Sequence, residues 1–267
     1  MRSLRSLPGL TAALAPLALA ACSTLSGDPA TRPLENPLGN GLRIAEVQDP
    51  ASPHYKNGAS FDISSAVVTW LDTFDETRDG KSVGTLYIQD VGANTPYSGL
   101  SVYETNYVPA SLKVLPGDVL DFVGSYQESV SVGSAKFDVG TFLPQLSKPV
   151  GTFDYEFTAP APATVTSGEF VGTDAGFAIG RKWLGMLVTI YDVTIGAGGE
   201  DTSGRVTYPF GGGDASINGN SVAISNELYP LGKSDFKAMT HFKSVTGLLT
   251  WFYSFHVAPR TPADLEQ

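Results

Sequence analysis

The chain has 267 residues, a formal charge of −10, 16% charged and 42% hydrophobic residues, and a single cysteine, Cys22. One cysteine excludes an internal disulfide and a thiolate metal cluster. The acidic balance, with no basic run in the body, argues against nucleic acid as a partner, because polyphosphate affinity comes from Lys and Arg that displace counterions.

Arg2 and Arg5 precede an apolar stretch from Leu7 to Leu19, and the small residues Ala18-Leu19-Ala20-Ala21 lead to Cys22. This is the three-part layout of a secretory signal. The stretch is shorter than the roughly 20 apolar residues that span a bilayer and contains Pro8 and Pro16, so residues 1–21 read as a cleaved signal, not a permanent helix. Leu19-Ala20-Ala21-Cys22 resembles the bacterial lipobox, which implies acylation of Cys22 after cleavage and a membrane partner through that lipid. An ordinary secretory signal cut after Ala20 is the plainer alternative. Three acyl chains exceed the one-chain limit for stable anchoring. Loss of Arg2 and Arg5 leaves 15 basic against 27 acidic side chains, a mature charge of −12. Ser23 follows the cysteine where family sorting rules place Asp for inner-membrane retention, which implies an exported protein anchored in the envelope at the outer membrane.

Residues 22–41 hold Pro29, Pro33 and Pro37 among small polar residues and read as an extended tether. From Leu42 onward, short Val-, Ile-, Thr- and aromatic-rich runs alternate with Gly, Pro, Asn and Asp, without a sustained 3.6-residue period, so the body is expected to be all-β. Ala66–Leu71 suits a strand buried on both faces. Thr85–Gln89 and Leu100–Tyr103 alternate, directing Leu86, Ile88, Leu100 and Val102 inward. Tyr87, Gln89, Ser101, Tyr103 and Thr105 then point outward.

An offset of 120 residues carries Val68, Thr69, Asp72, Gly84, Gly92, Ser101, Val102 and Asn106 onto Val188, Thr189, Asp192, Gly204, Gly212, Ser221, Val222 and Asn226. A three-residue insertion then brings Gly124 onto Gly247. These matches suggest a tandem repeat, with modules at 42–157 and 166–267 joined by a Pro/Ala/Thr-rich linker at 158–165. The order Val67-Val68-Thr69, Gly84–Asp90, Ser98–Tyr103 and Pro116-Gly117-Asp118 resembles the extracellular OB-fold modules found beside secreted bacterial nucleases. The ending Pro259-Arg260 through Asp264 is similar to that family's closing segment. The resemblance implies two tandem OB-like Greek-key barrels, but the family's nuclease partner is not present in the chain.

His54, His241 and His256 stand in no catalytic or metal-ligand spacing, and no cofactor motif occurs, so the sequence reads as non-catalytic, without a cofactor or metal. Asp72, Asp75, Glu76 and Asp79 lack the EF-hand spacing and read as a solvated loop that protects a strand edge. The glycine runs at 196–199 and 211–213 are not followed by Lys-Ser/Thr and read as turns. Tyr87, Gln89, Ser101, Tyr103 and Thr105 form the candidate ligand face, suited to stacking on a sugar or gripping a peptide. Alternatively, Tyr87 and Tyr103 pack across strands or lie beneath the second module. Trp251, Phe252, Tyr253 and Phe255 are expected in the core or at a module interface. The expected function is a binding or assembly scaffold in the envelope, with a protein or glycan partner. A glycan- or peptidoglycan-binding module and an accessory subunit of a secreted nuclease or hydrolase are the alternatives.

Overall fold

A computed structural model describes residues 41–72, 85–103, 114–129, 143–170, 179–202, 204–211, 222–252 and 254–267. The chain is mostly β, as its alternating apolar pattern requires. In the first half a short helix α1 (Ile44–Gln48) precedes strands β1 (Ser60–Leu71), β2 (Thr85–Asp90), β3 (Gly99–Tyr103), β4 (Asp118–Ser129) and β5 (Leu143–Glu156). They close into a five-stranded barrel in the order β1-β2-β3-β5-β4. Only the β3–β5 contact is parallel, with Ser101 opposite Gln145 and Val102 opposite Leu146. The inward residues Ile63, Ala66, Val68, Ile88, Leu100, Val102, Leu120, Phe122 and Leu146 fill the barrel, and Leu86 packs against them half-buried. Helix α1 adds Ile44 and Val47 to the same core; their spacing of three residues places both on one helical face.

The second half contains β6 (Ala163–Thr164), β7 (Leu187–Thr194), β8 (Gly199–Glu200), β9 (Val206–Pro209), β10 (Ala223–Ser225), β11 (His241–Phe252), β12 (Ser254–Ala258) and β13 (Leu265–Glu266). Its sheet runs β6-β7-β11-β12-β10-β9-β8, with β13 on β11. A single antiparallel bridge, Ile195 to Phe210, joins the end of β7 to that of β9. Thus β7, β9, β10, β11 and β12 neighbour one another in the same order as β1 to β5, with β10 parallel to β12 as β3 is to β5, while β6, parallel to β7, β8 and β13 are additions at their edges. The core of this half is separate and contains Val188, Ile190, Tyr208, Ile224, Phe242, Trp251, Phe255 and Val257.

The pairings correct the expected 120-residue register. Val68 opposite Ile88 corresponds to Ile195 opposite Phe210, and Leu86 opposite Val102 to Tyr208 opposite Ile224. β2 and β3 are therefore displaced by two residues from the expected match, and β1 by seven: Val188 is not the counterpart of Val68. Ser65 and Asp192, each in a left-handed conformation with φ of 57°, occupy the same place in β1 and β7. Gly124 and Gly247 do coincide. Their partners, Phe61 and Val188, each lie four residues before that left-handed residue. A Cβ at either glycine would come within 3 Å of a neighbouring strand, Leu146 in one case and Ala258 in the other.

Candidate binding surface at the seam between the halves

Strand alternation turns Tyr87 and Gln89 away from the barrel core, but not into solvent. The expectation of a solvent-facing ligand surface is corrected for the residues whose surroundings are described, because Tyr87, Gln89 and Ser101 are 6%, 0% and 4% exposed. The Tyr87 ring packs against Leu187 and Leu248 of the second half, with Trp70, Ala159 and Leu228 around them. The Gln89 amide accepts a hydrogen bond from the Leu187 N–H (3.1 Å) and donates to the Ala93 carbonyl (2.6 Å). Ser101 Oγ donates within the barrel to the Pro144 carbonyl (2.9 Å). The backbone of Tyr103 stands opposite Thr85, and Thr105 lies outside the described residues. Periodicity correctly separates inward from outward here; it carries no information about what lies outside.

The segment immediately before β7 makes the rest of the seam. The Tyr97 N–H donates to the Lys182 carbonyl (2.6 Å), and Ser98 Oγ lies 3.7 Å from Met186 Sδ. Gly99 and Gly185 meet backbone to backbone. A Cβ on Gly99 would fall 2.6 Å from the Gly185 carbonyl carbon, and one on Gly185 would fall 2.8 Å from the Leu100 nitrogen. Gly185 also has φ of +78°, which L side chains rarely adopt.

Beside this contact lies a buried charged cluster that sequence inspection missed, because its members are 53 residues apart and belong to no motif. Arg181, at a short 3-10 turn, forms an ion pair with Glu128 of β4; their side chains are 3% and 0% exposed. The same Glu128 oxygen accepts from the hydroxyls of Tyr126 (2.8 Å) and Tyr55 (2.9 Å). The guanidinium also donates to the Tyr126 oxygen (3.1 Å) and the Gln48 carbonyl (3.4 Å). Its Cζ stands 6.0 Å from the Tyr55 ring centre and 5.8 Å from that of Tyr97, within cation–π range. Burial opposes the Arg181 charge, but Tyr126, Glu128 and Tyr55 outweigh it and hold its pKa above the ordinary value. Burial, and then the Glu128 carboxylate, push the Tyr55 hydroxyl up to about 12, so it remains a donor. The two tyrosine hydroxyls and the guanidinium thus hold the Glu128 carboxylate in one geometry.

Helix α1 ties the cluster to the barrel. Its first N–H groups, which have no partner within the helix, donate to Asp90, Ile44 to Oδ1 (2.8 Å) and Ala45 to Oδ2 (3.1 Å). Gln48, at its last turn, donates through its side chain to the Gly99 carbonyl while its own carbonyl receives Arg181. Burial raises the Asp90 pKa to about 6 against the opposing effect of the two N–H groups.

The histidines are placed apart. His54 is exposed, and His241 pairs at the surface with Asp192 (2.7 Å). His256 Nε2 lies 3.2 Å from Ser254 Oγ, a contact that superficially suggests a nucleophile and its base. Burial, and then Arg205, pull the His256 pKa down to about 3, and its Nδ1 has no hydrogen-bond partner to orient the ring. A base so weak and unoriented does not activate a hydroxyl at neutral pH. Asp72 is buried, whereas Asp75, Glu76 and Asp79 lie outside the described residues. Among the described residues no three His, Cys, Asp or Glu side chains gather around a metal position. No helix among them is long and apolar enough to cross a membrane, and Cys22 with its flanking segment lies outside them. Trp251 and Phe255 are buried in the second core with ring centres 4.8 Å apart. Comparison with protein-family models and with curated proteins gives no match.

Proposed function

We propose that the protein is a non-catalytic scaffold of the bacterial envelope, anchored by lipid on Cys22, in which two tandem OB-like Greek-key modules form one rigid body for assembly with other envelope components. The observation that carries this reading is the seam. Two halves that share one order of strands and have separate cores are joined through a buried ion pair, an amide bridge and a glycine-to-glycine contact, which leave little freedom of relative orientation. A chain that only had to tether two independent binders would need no such interlock. A five-stranded Greek-key barrel is the OB architecture, and its ligands differ from one protein to another.

The burial of Tyr87, Gln89 and Ser101 favours the scaffold over a glycan-binding module centred on that face. The membrane attachment is tested by metabolic labelling with palmitate and by membrane flotation, comparing the wild-type precursor with Cys22→Ser. The expected result is labelled, floating wild type and an unlabelled variant recovered in the soluble fraction. A Cys22→Ser chain that floats like the wild type would sink the lipid-anchor reading.

A further inference from the structure

The two edges of β5 are used unequally. Its first residues close the barrel against β3 at Gln145 and Leu146. Lys148 then takes a left-handed φ of 51° beside a register shift with β4, and beyond it β5 pairs, among the described residues, with β4 alone. Lys148 and Pro149 guard the start of this open edge, one by charge and the other by a missing donor. The guard stops at Val150, which is 63% exposed, and Phe153 is 51% exposed. These two side chains stand on opposite faces. Phe153 lies opposite Leu120, a residue of the barrel core, whereas Val150 lies opposite Val123, the neighbour of the core residue Phe122. A layer stacked over one face would cover only one of them; a strand added at the edge covers both.

The far end of the same edge carries an unbalanced charge. Asp118 and Glu156 stand directly opposite each other in the β4–β5 ladder, where like charges repel, and neither has an ion-pair partner among the described residues. Together with the exposed Leu115 and Phe157 they line an open surface cavity of about 450 Å³. An apolar rim over two carboxylates suits the stem and the charge of a lysine or arginine side chain. We propose that the open edge of β5 and this cavity bind an extended segment of another envelope protein. The segment adds as a strand beside Val150–Phe153, covers both apolar side chains and places a Lys or Arg between Asp118 and Glu156. That the partner is an envelope component rests on the scaffold reading; its extended backbone, apolar residues and basic end follow from the edge itself.

The test uses the full mature chain with Cys22→Ser and fluorescein-labelled peptides of alternating valine and threonine with a single lysine. The lysine is near the N-terminus in one peptide and near the C-terminus in the other, so that both strand directions are covered, and binding is read by fluorescence anisotropy. At least one lysine peptide is expected to bind saturably. Binding should weaken at least tenfold when that lysine is replaced by glutamate, or when two central residues are replaced by proline, which removes backbone donors. Phe153→Lys and Glu156→Lys should each weaken it at least tenfold while keeping the wild-type unfolding midpoint, because both side chains are exposed. Absence of saturable binding by both lysine peptides would overturn the proposal. So would binding that tolerates the prolines, the glutamate or Phe153→Lys. The peptide replacements leave the protein untouched and decide the outcome even where a protein variant fails to fold. Flotation of the wild-type precursor against Cys22→Ser tests the anchored scaffold without any peptide, so the two readings fail separately.

Discussion

Arg181 of the second half sits on the carboxylate of Glu128 in the first, and two tyrosine hydroxyls converge on the same carboxylate oxygen. Both charges are buried, so each depends on the other. Removing one partner leaves an uncompensated charge at a cost of about 3–5 kcal/mol, whereas replacing both with apolar groups of similar volume is often close to neutral. Glu128→Leu and Arg181→Met should each lose stability in urea unfolding, and the double variant should recover most of the loss. Single variants within about 0.5 kcal/mol of wild type would show that the pair is not buried in solution.

Tyr87 should behave as a packing residue. Its ring lies between the halves against Leu187 and Leu248, and truncation of a buried aromatic costs about 3–5 kcal/mol. Tyr87→Ala is expected to lower the unfolding midpoint strongly and to increase proteolysis at residues 157–162. A Tyr87→Ala protein as stable as the wild type would mean that the ring faces water.

Asp90 makes stability depend on pH in a direction unusual for a carboxylate. Its pKa in the fold is about 6 against an ordinary 3.8, so the folded state holds the proton more tightly than the unfolded chain does. The associated stability is complete below about pH 3.8 and is lost as pH rises through 6. A shift of this size corresponds to about 3 kcal/mol. The difference in unfolding free energy between wild type and Asp90→Asn should therefore move against the wild type by roughly that amount from pH 4 to pH 7; a constant difference would contradict the burial of the carboxyl.

His256 acts in the opposite sense. Its pKa falls from 6.5 to about 3, so its contribution is present above pH 6.5 and declines as pH falls toward 3. Between pH 7 and pH 4 the wild type should lose about 3 kcal/mol relative to His256→Gln, measured by denaturant titration at each pH. No pH-dependent difference would place the ring in contact with solvent.

Much of the barrel was legible in local pattern. Alternation at Thr85–Gln89 and Leu100–Tyr103 identified the inward residues Ile88, Leu100 and Val102, and the apolar run at Ala66–Leu71 marked a strand with a buried centre. Helix α1 was missed because a single helical turn offers too few residues for a 3.6-residue period to emerge. The repeat register was misread for a related reason. Side chains in a strand repeat every two residues, so the two-residue error in β2 and β3 kept inward positions aligned with inward positions and left the pattern looking sound.

The sequence by itself determined the β character, the inward residues of individual strands and the equivalence of Gly124 and Gly247, because these follow from local periodicity and steric demand. Tertiary structure alone decided that Tyr87, Gln89 and Ser101 are buried, that Arg181 meets Glu128 and that Ile195 stands where Val68 does. Such relationships depend on which distant segments share space, and the pattern along one strand does not encode what packs against its outer face.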